Sequence, residues 1–164
     1  MWRPSLIIIG VALSSFFLQN ILSGLNWQIN ILVSVAIAAA LLQPKYLFIF
    51  VTVLGLLADV VYSSHGVYVF ALILLTLIIS FFNQHFAWAN KLAVFFSVIS
   101  GLIVGLLMAW FFAWTFNFFF SLNLTLNFLN NNWHSWIIYL LSNSLIIFIF
   151  LRIGKKFIKD KIVL

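Results

Sequence analysis

Few side chains in this 164-residue chain are equipped for chemistry, and Asp59 is the one that stands out. It is the sole acidic residue within a long apolar stretch, and Thr52, Gly55, Asp59 and Ser63 recur at three- and four-residue intervals. On a helix these four share one face, with Gly55 one turn from the carboxylate, where its missing side chain lets another backbone approach. An ionised carboxylate in hydrocarbon costs about 2.5–3.5 kcal/mol on insertion scales, so Asp59 needs partners. No Lys or Arg falls at its depth. The neutral candidates are Asn30, Ser34, His134 and the backbone amides of residues 63–66. Two readings follow: a buried carboxyl that pins helix packing, or a docking or ion-coupling site.

His65 and His134 fall near one end of the expected bundle, but no third ligand stands at helical spacing from either, so neither a metal site nor a cofactor is expected. His85, Trp27 and Trp88 read as interfacial residues of aromatic belts. There is no glycine-rich phosphate loop, no His-Glu metal helix and no nucleophile in helical register with a base, so the sequence points away from an enzyme. Cysteine is absent, which excludes disulfides and thiol chemistry.

The elements that must position Asp59 follow from the composition. Hydrophobic residues make up 66% of the chain and charged ones 6%, against roughly a quarter charged in soluble domains. A soluble domain of this size cannot cover so much apolar surface, so an integral membrane protein is expected. The charged residues leave uncharged runs of 41 (Pro4–Pro44), 31 (Val60–Asn90) and 60 residues (Leu92–Leu151). At about 20 residues per crossing these runs, with the Tyr46–Phe82 region, predict an all-α bundle of six transmembrane helices. The spans are 4–22, 28–43, 46–63, 67–83, 92–116 and 134–153, within a single membrane domain (1–153) followed by a basic tail (154–164).

Six crossings place Arg3, Lys45, Lys91 and the five basic residues from Arg152 to Lys161 on one side. The three opposite loops (22–27, 64–66 and 117–133) carry no Lys or Arg. The positive-inside rule then makes the basic side, and both termini, cytoplasmic. Each basic residue of the tail near an anionic leaflet contributes about 1 kcal/mol of attraction.

Ser97, Gly101, Gly105 and Ala109 form a small-residue ridge on the fifth span, suited to close helix packing within the chain or to a dimer seam. Asn143 and Ser142 lie deep in the sixth span and are expected to form interhelical hydrogen bonds. In the 117–133 loop, Ser121–Phe128 alternates strictly, while Leu122, Leu126 and Leu129 also fit a short interfacial helix. Asn123-Leu124-Thr125 matches a glycosylation sequon.

The segment Gly55-Leu-Leu-Ala-Asp59-Val-Val-Tyr62-Ser-Ser-His-Gly66-Val-Tyr68 resembles the MreD family of bacterial rod-shape-determining membrane proteins. In that family a Gly–Asp segment ends the third helix, a short polar turn follows, and a Gly opens the fourth. The length, the six spans, Arg3, Gln19 near the end of the first span and the basic C-terminus are similar too. Two features depart from the pattern: the turn between Asp59 and Gly66 is one residue shorter, and Trp27-Gln28-Ile29 replaces a proline before the second span. About 14 residues carry the specific part of the likeness.

The resemblance implies a non-enzymatic component of the cell-wall elongation machinery, with a helical plan similar to that of the substrate-binding subunits of vitamin importers. It implies work with an MreC-like protein, the MreB filament at the cytoplasmic face, and the wall-building glycosyltransferase and transpeptidase. Gly55, Asp59, Tyr62, Gly66 and Tyr68 would then shape a surface recognised by a partner. The alternative is an importer subunit that binds a small solute among Asn30, Asp59, His65, Trp133 and His134.

Overall fold

The computed structural model describes residues 3–24, 29–42, 46–85, 91–120 and 133–159. These residues form six α-helices and no strand: α1 (Arg3–Gly24), α2 (Ile31–Leu42), α3 (Leu47–Tyr62), α4 (Val67–His85), α5 (Lys91–Phe120) and α6 (Trp133–Lys159). Two of them, across Val94–Phe120 and His134–Gly154, are long and apolar enough to cross a membrane. The other four contain shorter apolar stretches, Gly10–Leu22, Ile31–Leu42, Leu47–Tyr62 and Val67–Phe82.

The bundle is built around α2, which touches each of the other five helices. Around it, α1 packs on α3, α3 on α4, α4 on α5 and α5 on α6. Every residue from Ile31 to Leu41 is buried. The sequence Ile-Leu-Val-Ser-Val-Ala-Ile-Ala-Ala-Ala-Leu-Leu explains this, because it is apolar on all sides and its alanines give neighbouring backbones room to close in.

Several boundaries differ from those expected. Among the described residues the second helix, expected over 28–43, begins at Ile31, after the non-helical 29 and 30, and has 12 residues, about 18 Å at 1.5 Å per residue. That is well short of a hydrocarbon core of about 30 Å. The start of this helix is satisfied by side chains of other helices, Gln19 of α1 and Asn143 of α6. The fifth helix continues past residue 116 to Phe120, so Asn117 is helical and not part of the following loop. The sixth continues past residue 153 to Lys159, so the first six residues of the expected tail are helix. Trp27, Gln28, Lys45, Trp88, the 121–132 segment with its alternation and sequon, and the side chains of His85 and Trp133 lie outside the described residues.

The exterior is strongly apolar. Trp110, Phe118, Phe119, Leu141 and Leu145 are each more than 60% exposed. The expected ridge on α5 lies inward: a Cβ on Gly101 would sit 3.4 Å from Ile79 on α4 and 3.5 Å from Ile37 on α2, and one on Gly105 would sit 3.0 Å from Leu75. Ala109 is buried and Ser97 is half-buried.

Candidate functional site: two helix starts held by distant side chains

Asp59 sits on the last turn of α3 and reaches across to α4. Its Oδ1 accepts the Ser64 hydroxyl at 2.5 Å and the Tyr68 amide at 2.9 Å, and its Oδ2 accepts the Val69 amide at 3.1 Å. Tyr68 and Val69 are the second and third residues of α4, whose N–H groups have no partner within the helix. The Val67 amide donates to the Ser64 carbonyl at 3.1 Å. The first-turn donors of α4 are thus satisfied by one carboxylate and one turn carbonyl, and an acceptor with negative character lies at the positive end of the helix dipole.

The turn between the helices is built for this contact. Ser63 (φ 50°), His65 (φ 52°) and Gly66 (φ 99°) all have left-handed backbone. Ser63 closes α3, its amide donating to the Asp59 carbonyl, and Ser64 donates its own amide to the same carbonyl at 3.1 Å. Asp59 therefore engages the turn with both its main chain and its side chain. Gly66 at φ 99° occupies a region where a side chain is strained, so the residue before α4 is glycine for a conformational reason.

Gly55 makes the crossing possible. A Cβ there would lie 2.7 Å from Val69 Cα, closer than real Cβ atoms come to backbone. The α3 and α4 backbones thus touch one turn from the carboxylate, as expected from the Gly55–Asp59 spacing.

A second capped start lies at α2. The Asn30 amide donates to Asn143 Oδ1 at 2.9 Å, the Ser34 hydroxyl donates to the same oxygen at 2.8 Å, and Asn143 Nδ2 donates to the Tyr139 carbonyl at 2.8 Å. Gln19 of α1 accepts the Ile31 amide at 2.6 Å and donates to the Ile29 carbonyl at 3.0 Å. Asn30 Oδ1 accepts the Val33 amide at 3.1 Å. Asn143 stands ten residues inside α6, about 15 Å along the helix. The start of α2 is therefore deep in the fold, where water is not at hand to take up free amides.

Tyrosines stand at both starts. Tyr62 and Tyr68 have ring centroids 5.0 Å apart at the α3–α4 turn, and the Tyr139 carbonyl accepts Asn143 Nδ2 beside the start of α2. Tyr68 and Tyr139 are buried. The residues of the Gly55–Tyr68 segment are thus gathered into one unit at the α3–α4 corner.

Other expected partners of Asp59 go elsewhere. Asn30 and Ser34 are bonded to Asn143, and His134 and His65 are exposed. Thr52 donates to the Phe48 carbonyl at 2.8 Å. Ser142 bonds only within α6, to the Ile138 carbonyl at 2.6 Å and the Tyr139 carbonyl at 3.3 Å, so the interhelical role expected of it belongs to Asn143. Sequence reasoning missed Ser64 as a donor and Gln19 as the cap of α2. A Gln or Ser in an apolar run signals a buried hydrogen bond, but not its partner. Among the described residues no three His, Asp or Glu side chains gather as a metal site would require.

Compared with known proteins, the chain matches no family model, no curated protein and no solved structure.

Proposed function

We infer that the chain is a six-span membrane scaffold of a bacterial cell-wall elongation complex, similar to MreD and non-enzymatic, with both termini cytoplasmic in the inner membrane. The observation that carries this reading is the Asp59 staple. The residues behind the resemblance, Gly55, Asp59, Tyr62, Gly66 and Tyr68, form one continuous structural unit in which a carboxylate sets the angle between two helices. Such a unit holds a corner of the bundle in a fixed shape, which is what a recognition surface needs. The apolar exterior supports the membrane reading, and six crossings would put every basic residue of the sequence on one side, as the positive-inside rule expects. An MreC-like protein, the MreB filament and the wall-building glycosyltransferase and transpeptidase are the partners this reading implies.

The importer reading requires convergent polar groups with free valences. Two of the groups it relied on, Asn30 and Asp59, hold helix starts instead, and His65 points to the outside of the turn as an exposed residue. The scaffold reading is therefore preferred.

Affinity purification of the tagged chain from its native membrane, with mass spectrometry of what is retained, tests the proposal. Wall-synthesis proteins retained by the native chain and lost with Asp59→Leu at equal protein levels are the expected result. Retention of ATPases and a transport coupling subunit instead would transfer the chain to the importer class.

A further inference from the structure

The outward face of α6 changes character along its length. Ile138, Leu141, Leu145 and Ile149 follow one another at three- and four-residue spacing and are 58, 68, 62 and 48% exposed. Arg152 continues that same face and is exposed. Lys155, Lys156 and Lys159 follow at three, four and seven positions beyond Arg152, on the same stripe by helical register. The opposite stripe, Asn143, Ile147 and Leu151, is buried in the bundle. At the end of the bundle α6 lies against α2, where a Cβ on Gly154 would overlap the Leu42 side chain at the last residue of α2. Beyond Gly154 the helix runs past the end of α2 as a basic extension.

We propose that this stripe is a binding site for an anionic phospholipid of the cytoplasmic leaflet, its acyl chains along Leu141, Leu145 and Ile149 and its phosphate at the basic end of the stripe, which Arg152 opens. The apolar part lies within His134–Gly154, one of the two stretches long and apolar enough to cross a membrane, so the basic part begins where a headgroup would lie. An aliphatic strip that passes into a cationic strip on one helical face matches a lipid in both halves. An acidic protein surface or a free phosphate would match only the cationic half. The Arg152 stem also allows its guanidinium to reach up from the hydrocarbon boundary. The inference requires α6 to cross the membrane but is independent of the scaffold reading.

The test is native mass spectrometry of the full chain in detergent micelles doped with phosphatidylglycerol or with phosphatidylcholine of the same acyl length. The native chain retains phosphatidylglycerol in preference. Exchanging Arg152→Ile with Ile153→Arg keeps the charge but moves it off the stripe, and weakens that preference about fivefold; Lys155→Gln with Lys156→Gln weakens it more than about tenfold. Lys91→Gln, a basic residue elsewhere on the same side, leaves it unchanged. Equal retention by the Arg152–Ile153 exchange would overturn the site in favour of general charge attraction. Displacement by millimolar inorganic phosphate, or no preference over phosphatidylcholine, would overturn it outright.

Discussion

Gly55 and Val69 meet backbone to backbone: a Cβ on Gly55 would lie 2.7 Å from Val69 Cα. The same Val69 donates its amide to Asp59 Oδ2 at 3.1 Å, so close approach and hydrogen bond depend on each other. Gly55→Ala must push α3 from α4 or bend one of them, at a cost of about 1–3 kcal/mol. The thermal midpoint in detergent should fall. Gly10→Ala, at a position with nothing within 4 Å, should leave it unchanged or raise it slightly.

Asp59→Asn keeps one acceptor oxygen where three donors now converge on two. Leaving a buried donor unpaired costs about 1–3 kcal/mol, and Asp59→Leu strands all three. Hydrogen exchange should accelerate at the Tyr68 and Val69 amides in both variants, more in Asp59→Leu. Protection equal to that of the native chain would remove the staple from the description of this corner. In cells dependent on the variant, the scaffold reading expects Asp59→Leu to insert normally and disturb rod shape. Normal rods at normal protein levels would contradict it.

Asn143→Leu leaves the Asn30 amide and the Ser34 hydroxyl without their shared acceptor. Interhelical hydrogen bonds in membrane bundles are worth about 0.6–1.7 kcal/mol each, so a loss of roughly 1–3 kcal/mol is expected. Ser142→Ala, one residue away, removes only bonds within α6 and should be near neutral. Reversible unfolding of the two variants side by side checks the contrast.

The small residues of α5 face Ile37, Leu75 and Ile79 of the same chain. Gly105→Leu should therefore overpack the α4–α5 contact and lower the thermal midpoint, costing about 1–3 kcal/mol, without changing the oligomeric state seen by size-exclusion chromatography with light scattering. A shift in oligomeric state at an unchanged midpoint would assign the ridge to an interface between copies.

The cysteine-free chain offers a direct test of topology. His65→Cys and Lys161→Cys should react with a membrane-impermeant maleimide from opposite sides of the membrane. Labelling of both from the same side would break the six-span arrangement.

Much of the architecture is legible in the sequence because it is local. Long uncharged runs, divided at about 20 residues per crossing and broken at Ser63–Gly66, are sufficient to mark out six apolar helices, since helix formation answers to nearby residues. The pairing of Gly55 with Asp59 was legible for the same reason, one turn of helix separating a gap from a carboxylate.

What the tertiary structure alone decided is where the polar atoms end. Asn30 and Asn143 are 113 residues apart, and nothing near either one names the other. The second span was expected from residue 28, yet α2 starts at Ile31, where Gln19 and Asn143 take up the amides of Ile31 and Asn30. Asp59 likewise needed a partner by the cost of burying it, and Asn30, Ser34, His134 and the amides of 63–66 were the candidates, whereas the carboxylate is met by the Tyr68 and Val69 amides of α4 and the Ser64 hydroxyl. Helix type follows from local pattern, whereas helix starts inside an apolar bundle follow from whichever distant side chain reaches the unpaired N–H groups.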